Sequence, residues 1–164
     1  MGFQAPHGTQ IVIALLQRTL FGRVEVEGET VADVGPGLVV LLAVEPTDTP
    51  ADADRCIERI LHYRMFSDAA GRMNCSLLDT GGALLLVPQF TLAADTRRGL
   101  RPSFSTAAPP ELGESLFNRA VSAARAQLGD ERVASGRFGA HMRVSLTNDG
   151  PVTFWLQVPP PAPR

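Results

Sequence analysis

The segment Leu86-Val87-Pro88-Gln89-Phe90-Thr91-Leu92 is where an apolar run stops and polar side chains begin. Pro88 has no N–H to give to a sheet ladder, so a strand that reaches it lies at an edge or ends there. Backbone N–H groups just past such an end are free to point at a ligand. Thr91 adds the one obvious hydroxyl of the segment and Gln89 an amide. Taken alone, Gln89 and Thr91 read as ordinary strand-end residues.

A second segment, Asn148-Asp149-Gly150-Pro151-Val152-Thr153, has the composition of a turn, here one that feeds the last strand. Between the two lies the densest basic cluster of an otherwise acidic chain, Asp95-Thr96-Arg97-Arg98-Gly99-Leu100-Arg101-Pro102-Ser103-Phe104. Three arginines within five residues most often form a solvated loop. A guanidinium also matches phosphate through its planar fork of donors, which makes Arg97, Arg98 and Arg101 candidate contacts to an RNA backbone.

The usual hydrolytic constellations are mostly missing. There is no G-x-S-x-G elbow and no H-E-x-x-H helix, and His7, His62 and His141 lie far apart in the chain. His62 sits beside an aromatic residue on a helix and reads as a partly exposed structural histidine. His141, at the start of a strand after Phe138-Gly139-Ala140, either lines a site or faces solvent. Cys56 and Cys75 have no C-x-x-C spacing and read as small buried residues. All fifteen basic residues are arginine, which excludes Schiff-base chemistry and a Walker lysine. No metal or cofactor is expected. A net charge of −2 argues against a surface that coats nucleic acid broadly, so RNA contact must be local and no DNA partner is expected.

These segments need a scaffold, and its pattern is legible. A chain of 164 residues, 45% hydrophobic and 20% charged, is the size and composition of one folded domain. The β-branched run over residues 10–17 reads as a buried strand. Val24 and Val26, then Val31, alternate around Glu27-Gly28-Glu29 as in a hairpin. Residues 38–44 and 83–87 are further apolar strands. Thr49-Pro50 with Asp52 marks a helix start, after which Ala53, Cys56, Ile57, Ile60 and Leu61 fall on one face. A second helix begins near Pro109-Pro110 and buries Leu112, Leu116, Phe117, Ala120, Val121, Ala124 and Leu128. Two strands, over residues 141–146 and 152–158, are joined by the Asn-Asp-Gly-Pro turn. The class is α+β: a curved, mostly antiparallel sheet or partial β-barrel with two covering helices. Residues 1–10 form a flexible leader, 11–158 the domain and 159–164 a Pro-rich tail. The short apolar run after the leader is neither signal peptide nor membrane span, so a cytoplasmic protein without membrane contact is expected.

In this order the segments resemble the D-aminoacyl-tRNA deacylase family. Its hallmarks are a Q-F-T-L stretch, here Gln89 to Leu92, and an N-x-G-P-x-T stretch, here Asn148 to Thr153. Ala14-Leu15-Leu16-Gln17-Arg18, Phe66-Ser67-Asp68 with Gly71-Arg72-Met73-Asn74, Arg101-Pro102-Ser103-Phe104 and Gly136-Arg137-Phe138-Gly139-Ala140 resemble its other motifs. The resemblance implies a homodimer that hydrolyses D-aminoacyl-tRNA, and glycyl-tRNA in many members, as translation quality control. It implies that Gln89, Phe90 and Thr91 wall the aminoacyl pocket, with backbone N–H groups there, that of Phe90 included, forming an oxyanion hole. It implies a cis Gly150-Pro151 pair that enters the partner's pocket as a chirality filter. Arg18 then braces that pair, and Phe138 lies near the terminal adenosine.

Three features depart from the family pattern. Pro88 stands where serine is common and resembles an animal relative with relaxed chiral selection. The leader is additional, and His141 replaces a common acidic residue. With no lysine, scattered histidines and no activated cysteine, the free 2′-hydroxyl of the terminal ribose is the expected helper in activating water. Two alternatives stand beside this: a deacylase of the same fold acting on L-aminoacyl errors, and an RNA-binding module without catalysis.

Overall fold

The computed structural model describes residues 11–159. The leader expected over residues 1–10, with His7, and residues 160–164 of the Pro-rich tail lie outside the described residues.

Strand β1, Ile13–Val26, is 14 residues long and organises the sheet. It turns through Glu27 and Gly28, both at positive φ, into β2, Glu29–Val34, as the valine alternation predicts. Its first half pairs antiparallel with β3, Gly37–Ala43. The chain then enters α1, Pro50–His62, through a full capping box: Thr49 Oγ1 accepts from the Asp52 N–H, and the Asp52 carboxylate accepts from the Thr49 N–H. The short pair β4, Phe66–Ser67, and β5, Met73–Cys75, leads to β6, Ala83–Pro88. Helix α2, Pro110–Leu128, and β7, Val133–Ser135, precede the last strand, β8, Arg143–Gln157.

The sheet runs β2-β1-β3-β6-β7, with β8 on the other side of β1. It is mixed rather than uniform, because β3, β6 and β7 are mutually parallel while every pairing of β1 is antiparallel. Alternation splits the core into two layers. Leu38, Val40, Leu42, Leu84 and Leu86 face the helices, where Cys56, Ile57, Ile60, Leu61, Phe117, Ala120 and Ala124 meet them. Val39, Leu85 and Val87 face the inside of the curl, against Val24, Val26 and Ala32. Strand β2 thereby packs over β6 and β7, and the sheet closes most of the way into a barrel. Gly22 permits that curl, since a Cβ there would lie 2.6 Å from Val39 Cγ2 and 3.0 Å from Leu85 Cδ2.

The buried face of α1 is the predicted one, and that of α2 follows prediction except that Leu112 is only half-buried. The last two strands differ from expectation. Residues 143–157 form one strand whose two halves both pair with β1. Between the Gln17–Thr153 and Thr19–Asn148 pairings the register jumps by three residues, so Asn-Asp-Gly-Pro is a bulge in a continuous strand. Turn composition marks where the ladder breaks, whereas the long partner strand decides that the chain resumes its direction. Cys56 is buried, and burial pushes its thiol up to about 12, but Cys75 is only half-buried on the short β5.

Candidate active site

Because β3 and β6 run parallel, their C-terminal ends lie side by side, at the Leu42–Pro88 pairing. Beyond it the ladder stops and the chain turns into the 3-10 segment Phe90–Ala93. Pro88 therefore closes a central strand at its last residue, where the missing N–H costs nothing. A cavity of about 450 Å³ opens there, lined by Pro88, Gln89 and Phe90 on one side and by Phe138, His141 and Met142 on the other. The first turns of α2, through Pro110, Gly113 and Phe117, form its third wall.

The backbone past Pro88 is partly committed. The Gln89 N–H donates to the Leu42 carbonyl at 2.8 Å, which corrects the expectation that N–H groups there are all free. Among the described residues, no hydrogen bond uses the N–H of Phe90 or Thr91. The Gln89 side-chain amide donates to Thr91 Oγ1. An amide is not a base, so nothing in that contact activates the hydroxyl as a nucleophile. Thr91 is exposed and does not line the cavity.

His141 lies just before β8, at once exposed and on the cavity wall, so both of its sequence readings hold. His62 is exposed on α1, with Nδ1 2.9 Å from the Glu58 carbonyl, a local helix contact. Phe138 is seated by Gly113: a Cβ on that glycine would come within 3.2 Å of the ring. Gly113 is not among the residues expected at the site, although a glycine inside a helix is costly enough to flag a close approach.

Gly150 and Pro151 are exposed and do not line this cavity. Their peptide bond is cis. The bulge is clamped at its base. Asn148 Nδ2 donates to the Arg18 and Val152 carbonyls at 3.1 and 2.9 Å, and the Val152 N–H donates to Asn148 Oδ1 at 3.0 Å. Arg18 Nε donates to the Asp149 carbonyl at 3.2 Å and lies 3.3 Å from its carboxylate, while Nη1 donates to the Met65 carbonyl at 3.0 Å. The structure thus brings Arg18 to the bulge, and Pro88, Gln89, Phe90 and Phe138 to the cavity, as two separate groups.

The basic loop is held by an antiparallel bridge between Asp95 and Ser103. Arg97 makes a two-pronged pair with Asp95, at 2.8 and 2.7 Å, and holds that carboxyl well below the usual carboxylate range. Arg98 and Arg101 are exposed, and no ion pair engages either among the described residues.

Residues 15–157 match the family model for D-Tyr-tRNA(Tyr) deacylase. The D-aminoacyl-tRNA deacylase of Thioalkalivibrio sulfidiphilus is 62% identical over 150 residues, covering 92% of this chain and 99% of that one. The protein of the same name from Pseudomonas fluorescens is 65% identical over 143 residues, covering 87% and 97%. Among solved structures, a c-Myc DNA unwinding element binding protein superposes with a TM-score of 0.86 at 35% identity, over 90% of this chain and 99% of that one. A probable eukaryotic D-amino acid tRNA deacylase superposes with a TM-score of 0.80 at 20% identity over the same shares, a likeness of fold.

Proposed function

The chain belongs to the D-Tyr-tRNA(Tyr) deacylase family, and we propose that it carries out its deacylation in the cavity between Gln89-Phe90 and Phe138, with the backbone as oxyanion hole and the RNA as helper. It is a hydrolase that releases the D-amino acid from aminoacylated tRNA. The observation that carries the site reading is the uncommitted N–H of Phe90 at the rim of an apolar cavity, with that of Thr91 next to it in the chain.

Water attacks the ester carbonyl, negative charge gathers on the carbonyl oxygen, and an N–H donor fixed beforehand, that of Phe90, meets it without reorganisation. Collapse expels the ribose oxygen, which takes up a proton, leaving free amino acid and tRNA. The neighbouring 2′-hydroxyl of the terminal ribose is the group that helps orient and activate the water. An ester demands far less than an amide, so orientation and an oxyanion hole suffice. Glycyl-tRNA fits the same scheme, since it has no side chain to exclude. The protein's RNA partner is thus the aminoacylated 3′ end of tRNA.

Chiral selection is assigned to the bulge of a second copy in a homodimer. The exposed Gly150 and Pro151 are too rigidly clamped to be an idle loop, and they stand apart from the cavity of their own chain. Strand β8 pairs only with β1 among the described residues, and the exposed Trp155 on it, with Leu20 and Phe21 on β1, leaves an apolar surface for a partner. The filter rejects L-substrates by clash with a rigid backbone wall rather than by attraction to the D side chain.

The direct experiment compares turnover of D-tyrosyl- and L-tyrosyl-tRNA while sedimentation reports the assembly. The expected result is a dimer that cleaves the D-ester and spares the L-ester. A fully active monomer at micromolar concentration overturns the shared filter. Cleavage of both esters by the dimer shifts the assignment to relaxed selection, with Pro88 on the cavity wall as the first residue to replace by serine.

A further inference from the structure

Phe90 and Phe104 are 57% and 44% exposed, although their rings touch, with centroids 5.2 Å apart and planes at 55°. Two large aromatic side chains left this open are not core. Phe90 stands on the cavity rim, so Phe104 extends an aromatic surface from the rim outwards. The position of Phe104 is fixed by its backbone. Asp95 and Ser103 exchange N–H donors at 2.7 and 3.0 Å just before it, the Ala107 N–H donates to its carbonyl at 3.0 Å, and Thr106 Oγ1 donates to the Ala93 carbonyl at 2.6 Å. The loop that ends at Phe104 carries Arg98 and Arg101, the two arginines left without an ion pair there.

Exposed rings joined through one loop to unpaired arginines are the equipment of a single-strand nucleic-acid surface, in which bases stack on the rings and phosphates meet the cations. From this we infer that Phe104, resting on Phe90, is the stacking face for the nucleobase that precedes the terminal adenosine. The inference rests on the deacylase site proposed above, because that site fixes which end of the RNA enters the cavity. The chain of RNA leaves the cavity over Phe90, lays its penultimate base on Phe104 and carries its phosphates towards Arg98 and Arg101. Every base has a π face, so this subsite reads the presence of a base and not its identity.

Two minimal substrates isolate the contact: the D-aminoacyl ester of adenosine, and the same ester on a cytidylyl-adenosine dinucleotide. The wild-type protein should prefer the dinucleotide in kcat/KM. Phe104→Leu should lose about five- to a hundredfold on the dinucleotide, the worth of one stacked base, and nothing on the adenosine ester. Phe104→Trp should restore the preference, uracil should replace cytosine without loss, and an abasic penultimate residue should behave in wild type as the dinucleotide does in Phe104→Leu. Equal loss on both substrates would make Phe104 a prop for Phe90, no loss on either would dismiss stacking, and a shift of Phe104→Leu to monomer in sedimentation would make the surface a subunit contact; each overturns the inference. Fluorescence of 2-aminopurine placed before the terminal adenosine of a short single strand gives a readout without turnover. Wild type should quench it and Phe104→Leu should not. Quenching that persists in the variant refutes stacking on Phe104, whereas quenching by a wild type that cleaves neither ester refutes the deacylase site and leaves the stacking face standing.

Discussion

The Arg18 guanidinium reaches from β1 to the backbone carbonyl of Asp149 at 3.2 Å, across a strand boundary at which the sheet register jumps. Its side chain is 15% exposed and also donates to the Met65 carbonyl, so one cation holds the bulge, β1 and the chain after α1 together. Two of its contacts are to neutral backbone carbonyls, those of Asp149 and Met65.

Arg18→Met keeps the stem and removes the donors. It should cost about 1.5–3 kcal/mol in urea unfolding, the range for hydrogen bonds involving a charged group. Asp149→Asn leaves the backbone carbonyl in place and removes only a partly exposed ion pair, so it should cost less than about 1 kcal/mol. Equal losses in the two variants would place the bracing in the carboxylate.

Gly150 sits at φ 141, and a Cβ there would lie 2.7 Å from the Val152 nitrogen. Gly150→Ala should therefore distort the bulge while leaving the cavity of its own chain intact. Under the exclusion reading, cleavage of L-tyrosyl-tRNA rises and cleavage of the D-ester falls much less. A variant that folds, dimerises and still spares the L-ester would move the filter away from the bulge.

Thr91 has an amide, not a base, as its hydrogen-bond partner. Thr91→Ala should keep kcat within about tenfold of wild type, while a tRNA ending in 2′-deoxyadenosine should be cleaved at least about a hundredfold more slowly, as when a group assisting proton transfer is lost. An acyl-enzyme on Thr91, trapped by rapid quench and weighed by mass spectrometry, would reverse the assignment.

Arg97 is paired with Asp95, so the phosphate contacts proposed for this loop fall to Arg98 and Arg101. Replacing either of these two by Gln should weaken tRNA binding and reduce the slope of log K against log salt by about 0.7–0.9, with turnover at saturation unchanged. Arg97→Gln should alter the slope less. A collapse of saturated turnover in Arg98→Gln or Arg101→Gln would give the loop a part in the chemistry.

Asp48 and Glu45 are buried beside each other where β3 hands over to α1, and one oxygen of each carboxylate has no hydrogen-bond partner. Burial, reinforced by the Glu45 charge, raises Asp48 to about 7. The folded protein then holds a proton between about 4 and 7 that the unfolded chain has released, so stability falls as pH rises through that window. Asp54, Asp68, Asp79 and Asp95 are shifted the other way by their hydrogen-bond partners, and their contribution is lost only at lower pH. Thermal unfolding at pH 5 and pH 8 should differ by a few degrees, with the higher Tm at pH 5, and Asp48→Asn should flatten the difference. An unchanged slope in that variant would clear Asp48 of the effect.

How much of this was legible beforehand depends on the range of the interaction responsible. The Val24 and Val26 alternation with its hairpin, the Thr49-Pro50-Asp52 helix start and the buried stripe from Ala53 to Leu61 rest on contacts within a few residues and appear in the structure as read, whereas Val31 is half-buried at a register shift and Ala32 takes the buried place opposite Val24. Pro88 ending its strand belongs with them, because a missing N–H is a property of the residue itself. The motif residues that flag the family are likewise local strings.

The tertiary structure decided what local strings leave open. Asn148 to Thr153 has turn composition in either case, and only the long ladder of β1 on both sides makes it a bulge in one strand. The cavity exists because β3 and β6 end together in parallel, which brings Pro88 to Phe138, fifty residues later in the chain, and turns His141 onto the wall. The pairing of Arg97 with Asp95 and the contact of Phe104 with Phe90 depend on how one loop folds back. A side chain's type is set by the sequence, but its partner is chosen by chain paths that only long-range packing can bring together.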